Sequence, residues 1–297
     1  MNDQRPSKIV HVYPETFSLL RSILKNVLHI KERRIQIELY RSPDEVANRV
    51  SYNDVKEIKN LHAFSSLARI RNYCDARKIQ IDYKNIDTIS VNRNPFIVLE
   101  GKAGIYYPRN NEILFSMASS TTHELLHALS THYEKEQDVY RTGFSIHPIF
   151  RALNEGYTEL LASRIEERPP QSYPEQVKLA RLIETLFDSP EEMMQAYFDN
   201  NLELVVQNMS EYMSSEEAVS LLIKEDTTLK KQMHGINMRV DDISQRVALY
   251  QSVVTNCKDF DKLERFLQVA AEDKELQTAL RVTDTVSSIK ETISRSR

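Results

Sequence analysis

The chain has 297 residues, with 39 basic against 43 acidic side chains, a net charge of -4, and 41% hydrophobic residues. That length exceeds one ordinary core and that apolar content suffices to fill it, so a folded chain of two lobes is expected and global disorder is excluded. A mean hydropathy of -0.48 without an apolar run near the roughly 18–20 residues that span a bilayer excludes a transmembrane helix, and the acidic balance excludes a broadly basic nucleic-acid surface.

Residues 1–14 contain no apolar segment of the kind that directs secretion. Cys74 and Cys257 form no CxxC pair, so neither a disulfide framework nor a cysteine zinc site is indicated, and a reducing cytoplasm fits best. Of five glycines, four (Gly101, Gly104, Gly143, Gly156) fall between positions 101 and 156, concentrating backbone freedom there.

Phe17, Leu20, Leu24, Val27 and Leu28 recur at helical spacing and predict a helix over residues 15–31. Alternation predicts a strand over 35–40, and Ser42-Pro43-Asp44-Glu45 opens a short helix with a capping box. Val55, Ile58, Leu61, Phe64, Leu67, Ile70 and Cys74 make one stripe of a helix over 53–77. Further strands are predicted at 79–83, around Ile89 and Val91, at 96–99, and on either side of the turn Pro108-Arg109-Asn110-Asn111, at 105–107 and 112–115.

From Ser119 the period is helical, with helices at 119–133, 148–167, 175–188, 190–199, 201–213, 215–224, 227–256, 259–271 and 273–292. The exception is 138–146, a hairpin or loop in which Gly143 marks either a turn or a mobile flap. Three prolines in 168–174 forbid a continuous helix and mark a linker. Ile236, Val240, Ile243, Val247, Tyr250 and Val254 step like a heptad seam for under three heptads, which predicts packing inside a bundle. The expected fold class is α+β: a mixed lobe over residues 1–135, then an all-helical lobe over 136–297.

His123-Glu124-Leu125-Leu126-His127 sets two imidazoles four residues apart on one helix face, where both can reach one zinc ion, with Glu124 directed at the same cavity. The competing reading makes Thr121 an N-cap and Glu124 the N3 member of a capping box. A catalytic zinc takes three protein ligands and keeps one position open. Glu155, within Asn154-Glu155-Gly156-Tyr157-Thr158-Glu159 on the next helix, is the leading third ligand. Glu159, His132, Asp138 and His147 are the other options, and Glu159 suits better the orientation of a histidine. Cys74 lies on an apolar stripe and reads as core.

The pattern from His123 to His127, followed by Leu153-Asn154-Glu155-Gly156-Tyr157, resembles the gluzincin metallopeptidases, including their thermolysin-like and aminopeptidase-type members. The 27 residues between His127 and Glu155 exceed the spacing in those two subfamilies and are nearer to antirepressor-type peptidases. The resemblance covers about residues 112–167. It implies a zincin-like fold for the first lobe, a zinc cleft between the lobes, His123, His127 and Glu155 as zinc ligands, and Glu124 as general base acting on zinc-activated water. His147, Tyr140 and Tyr157 are candidate oxyanion donors. Residues 112–117 are placed to be the edge strand that aligns an extended substrate, the alternative being an ordinary internal strand.

The expected activity is therefore zinc-dependent hydrolysis of a peptide or protein, as an endopeptidase, with neither nucleic acid nor membrane as partner. The alternative is a helical interaction or regulatory module whose metal site is structural or vestigial.

Overall fold

A computed structural model describes residues 34–36, 61–86, 89–94, 97, 103–136, 138–146, 149–233 and 239–281. The helices expected at 15–31 and from 42, and nearly all of the strand expected at 96–99, lie outside them. Within them the fold is mixed, with helices predominating over two small sheets. Among the described residues no helix is long and apolar enough to cross a membrane. Two compact units are formed, one from the residues up to Asn72 with Asp82–Leu129, the other from Tyr73–Ile81 with the chain from Ser130.

The helix α1 (Leu61–Asp75), most of which belongs to the first unit, buries Ala63, Leu67, Ile70 and Cys74 as its stripe requires. Burial pushes the Cys74 thiol up to about 12, as suits an inert core side chain. Among the described residues the sheet of this unit contains β1 (Arg34–Gln36), β2 (Ser90–Arg93), β3 (Gly104–Tyr107) and β4 (Glu112–Phe115) in the order β1-β2-β4-β3, with β2 and β4 parallel and the other pairs antiparallel. β4 is therefore an internal strand, which decides between the two readings at 112–117 against the edge. Its four residues are all buried, and even Glu112 is enclosed, accepting a bond from Asn92 Nδ2 at 2.5 Å. The edge beside it is β3. The helix α2 (Thr121–Leu129) then follows a single 3-10 turn at Ala118–Ser120.

In the second unit, β5 (Thr131–Glu134), β6 (Val139–Thr142) and β7 (Ser145–Ile146) form an antiparallel meander. The helix expected to reach 133 thus stops at Leu129. The Ser130 carbonyl accepts bonds from Gly143 N at 3.0 Å and Asn200 Nδ2 at 2.7 Å, so tertiary partners replace the next helical turn. Nor is 79–83 a strand: Ile79 N bonds back to Cys74 O at 3.0 Å, and Gln80 N donates to Gln195 Oε1 at 2.8 Å. Those bonds leave that backbone no ladder to join.

Among the described residues this unit also contains α3 (Arg151–Ile165), α4 (Pro174–Glu184), α5 (Pro190–Phe198), α6 (Leu202–Ser210), α7 (Ser215–Met233), α8 (Arg239–Asn256) and α9 (Phe260–Glu272). Residues 274–281 are helical as well. The proline linker at 168–174 separates α3 from α4 as expected. α7 instead runs unbroken through Glu225 and Asp226, where the sequence pattern places a gap between two helices. Both residues carry long-range bonds: Glu225 Oε1 accepts from Gln176 Nε2 at 3.1 Å, and Asp226 Oδ1 accepts from Ala152 N at 2.7 Å.

The buried face of α8 is also shifted from the expected seam. Asp242, Arg246, Leu249 and Val253 are buried, whereas Ile243, Val247 and Tyr250 are half-buried and Val254 is exposed. The shift follows the charges. Arg246 is fully enclosed, with Nη1 2.8 Å from Glu175, Nε 2.8 Å from Asp273 and Nη2 3.4 Å from Glu275. The two shorter contacts lack hydrogen-bond alignment, so they act as charge neutralisation, and removing Arg246 would leave the carboxylates around it uncompensated.

Nearby, Glu225 and Asp242 face one another within hydrogen-bond reach, each with one buried oxygen bonded to nothing else. Two carboxylates so placed share a proton. Burial foremost, then the facing Asp242 charge, pushes Glu225 up to about 8, and burial raises Asp242 to about 6. Both lie above the ordinary carboxylate range. Their contribution to stability is therefore full below the ordinary carboxylate range, declines as pH rises above it, and is gone once pH has risen through about 6 to 8. Denaturant midpoints of the wild-type protein are expected to fall across that window, and Glu225→Gln to flatten the fall.

Candidate metal centre

Every residue of α2 is buried. Leu125, Leu126, Ala128 and Leu129 account for this by apolar burial, but His123, Glu124 and His127 are polar groups that need partners. The two imidazoles meet: His123 Nε2 and His127 Nε2 are 3.0 Å apart, with the rings edge to face and their centroids separated by 4.7 Å. Thr121 does not act as the N-cap of a capping box, because its hydroxyl is buried without a hydrogen-bond partner. Glu124 is thus not explained as a helix-end device.

The segment before α2 is fixed to the start of β3 through one carbonyl. Ala103 O accepts from Ser116 N at 2.8 Å, Ser116 Oγ at 2.9 Å and Ser120 Oγ at 3.0 Å. Gly104 follows, and a Cβ there would sit 2.6 Å from Glu124 Oε1. The glycine is therefore what lets the edge strand and the carboxylate approach so closely. The concentration of glycines was the only sequence signal of this role.

α3 carries the candidate third ligand and is buried from Ala152 to Ser163, so each polar side chain in Asn154-Glu155-Gly156-Tyr157-Thr158-Glu159 must be satisfied internally. Asn154 Oδ1 accepts from Phe144 N at 3.1 Å, tying the β6–β7 turn to the helix. Thr158 Oγ1 donates to Asn154 O at 2.7 Å and lies 2.8 Å from Tyr197 Oη. Glu159 Oε1 accepts from Arg168 Nη1 at 2.8 Å and Gln171 N at 2.7 Å, anchoring the proline linker. Gly156 sits where α4 crosses, and a Cβ would collide with the Gln176 carbonyl.

Glu155 accepts from Arg151 Nε at 3.2 Å, one turn earlier. Its carboxylate also joins the two imidazoles: the ligand atoms of His123, His127 and Glu155 all lie within 4.8 Å of one another, and all three residues are buried. A tetrahedral zinc with bonds of about 2.0–2.1 Å holds its ligand atoms about 3.3 Å apart. The imidazole pair is already near that spacing. Two neutral nitrogen donors and one carboxylate suit a divalent first-row ion, and the donor set alone does not select which one.

The other sequence candidates are engaged elsewhere. His132 Nε2 is 3.0 Å from Phe198 O, and Asp138 Oδ1 accepts from Tyr133 Oη at 2.8 Å. Tyr140 stacks on Tyr133 with centroids 4.8 Å apart. Tyr157 is fully buried against Phe144 and Tyr197, and its hydroxyl donates to Glu184 at 3.3 Å; burial and the Glu184 charge raise its pKa further. His147 lies outside the described residues. Gly143, at φ +52°, forms the tight turn between β6 and β7, where a side chain would strike Asn154 and Tyr197.

Compared with known proteins, the chain matches no family model, no curated protein and no solved structure. The geometry of these residues is accordingly the ground for any functional reading. It makes one structural prediction directly: Gly156→Ala must push α4 off α3, and overpacking of this kind costs about 1–3 kcal/mol, readable as a lowered denaturant midpoint with an unchanged slope.

Proposed function

We propose that this protein is a zinc-dependent peptidase that hydrolyses internal bonds of a peptide or protein, with His123, His127 and Glu155 as ligands and Glu124 as general base. The observation that carries the reading is the buried convergence of those two imidazoles with the Glu155 carboxylate, each contributing one ligand atom within 4.8 Å of the others. A zincin-like lobe built from the first sheet and α2 is part of the same proposal.

When bound, zinc would supply Lewis acidity, lowering the pKa of water at its open position toward about 7 and polarising the scissile carbonyl. The remaining work falls to the chain. Glu124 takes the proton from the attacking water and returns it to the departing amine. Its burial keeps bulk water from competing for that proton. β3, the edge strand packed against α2, is the proposed rail for an extended substrate, which would add as a further strand.

A second reading, a helical interaction module with a structural metal site, leaves Glu124 without a task. The two readings separate in one experiment. Glu124→Gln is expected to retain zinc at wild-type stoichiometry while hydrolysis of a peptide library falls by at least about 100-fold, in line with general acid–base contributions. His127→Ala is expected to lose both the metal and the activity. Undiminished cleavage by Glu124→Gln would refute the general-base assignment.

A further inference from the structure

Among the described residues, Arg151 is a basic side chain that bonds the candidate carboxylate ligand. Its Nε is 3.2 Å from Glu155 Oε1, in an i,i+4 pair with Glu155 nearly buried and Arg151 half-exposed. A carboxylate that binds a metal through one oxygen has its second oxygen available to a hydrogen-bond donor, and such outer partners fix the orientation of the ligand. Arg151 supplies that donor with charge, which strengthens the bond.

Arg151 is also held firmly, although it is the first residue of α3. The preceding Phe150 adopts a left-handed conformation (φ 62°) and offers no side-chain cap. The cap comes from α7 instead: Asp226 Oδ1 accepts from Ala152 N at 2.7 Å, and Asp226 Oδ2 accepts from Phe150 N. Arg151 also contacts the Tyr173 hydroxyl, on the linker before α4. A helix start that usually frays is thereby pinned by elements 22 or more residues away in sequence.

We infer that Arg151 is a positioning residue, which holds one Glu155 oxygen so that the other is preset toward the His123–His127 pair, and so raises the affinity of the centre for a divalent ion. This rests on the proposed metal site, and its test reads binding without any substrate. A bare Glu155 would have to give up rotamer freedom on binding; with Arg151 in place, part of that ordering is done in the folded apo protein.

Zinc affinity would be measured by competition with a chromophoric chelator for the full-length wild type, Arg151→Gln, Arg151→Lys and His127→Ala, with circular dichroism and thermal unfolding of each apo form. Arg151→Gln is expected to weaken zinc binding by about 10–100-fold, the usual cost of losing an outer partner. Arg151→Lys is expected to restore part of that loss, because an ammonium keeps the charge but not the planar donor geometry. Binding by Arg151→Gln as tight as wild type, or tighter because a competing cation is gone, would overturn the inference. Should Arg151→Gln not fold, Arg151→Lys decides alone, by weaker or unchanged binding. A wild type with no zinc affinity would instead defeat the metal-site reading itself, and the two failures are thereby distinct.

Discussion

A helix buried on every side has no inexpensive place for a polar side chain, and α3 carries four of them in six residues. An unsatisfied buried polar group costs about 1–3 kcal/mol, more when charged, so each must be met by a partner fixed elsewhere in the fold. Asn154 meets the β6–β7 turn, Thr158 meets Tyr197, and Glu159 meets the linker at Arg168 and Gln171. Glu155 is met by Arg151 on one side and brought beside two imidazoles on the other. The arrangement of the second unit around α3 is the sum of these demands.

The same constraint explains what was legible in the sequence. His123 and His127 could be singled out because metal ligation imposes spacing within a helix, whereas Glu155, on another helix, was legible only through the resemblance of its segment to gluzincin metallopeptidases. Helices α3, α4, α5, α6 and α9 were legible to within a few residues because their apolar stripes are the faces they bury, as was the described part of α1. Cys74 read correctly as core, and the proline linker at 168–174 read correctly as a break. In each case the deciding interaction is local or follows the ordinary rule that apolar residues face inward.

Where the pattern misled, a buried polar or charged group had reversed that rule. α8 turns Asp242 and Arg246 inward because Glu175, Asp273 and Glu275 await the guanidinium, so its apolar heptad positions are displaced toward the surface. Glu225 and Asp226 read as a helix gap by propensity, yet they serve Gln176 and the start of α3, across separations of 49 and 74 residues. The stop after Leu129 depends on Asn200 and Gly143, and the strand order that makes β3 rather than β4 the edge depends on pairing between distant segments. Gly104 and Arg151 were visible as residues but not as participants, since their importance is relational: one makes room for Glu124, the other bonds Glu155.

The account depends on a divalent ion held by two ring nitrogens and a carboxylate oxygen. Zinc K-edge absorption spectroscopy of the stoichiometrically loaded protein reports that shell directly. The expected spectrum has the multiple scattering of two imidazoles, nitrogens at about 2.0–2.1 Å and oxygens at about 2.0–2.2 Å, with one imidazole lost in His123→Ala. A shell of oxygens alone, or one unchanged by removal of His123, would contradict it.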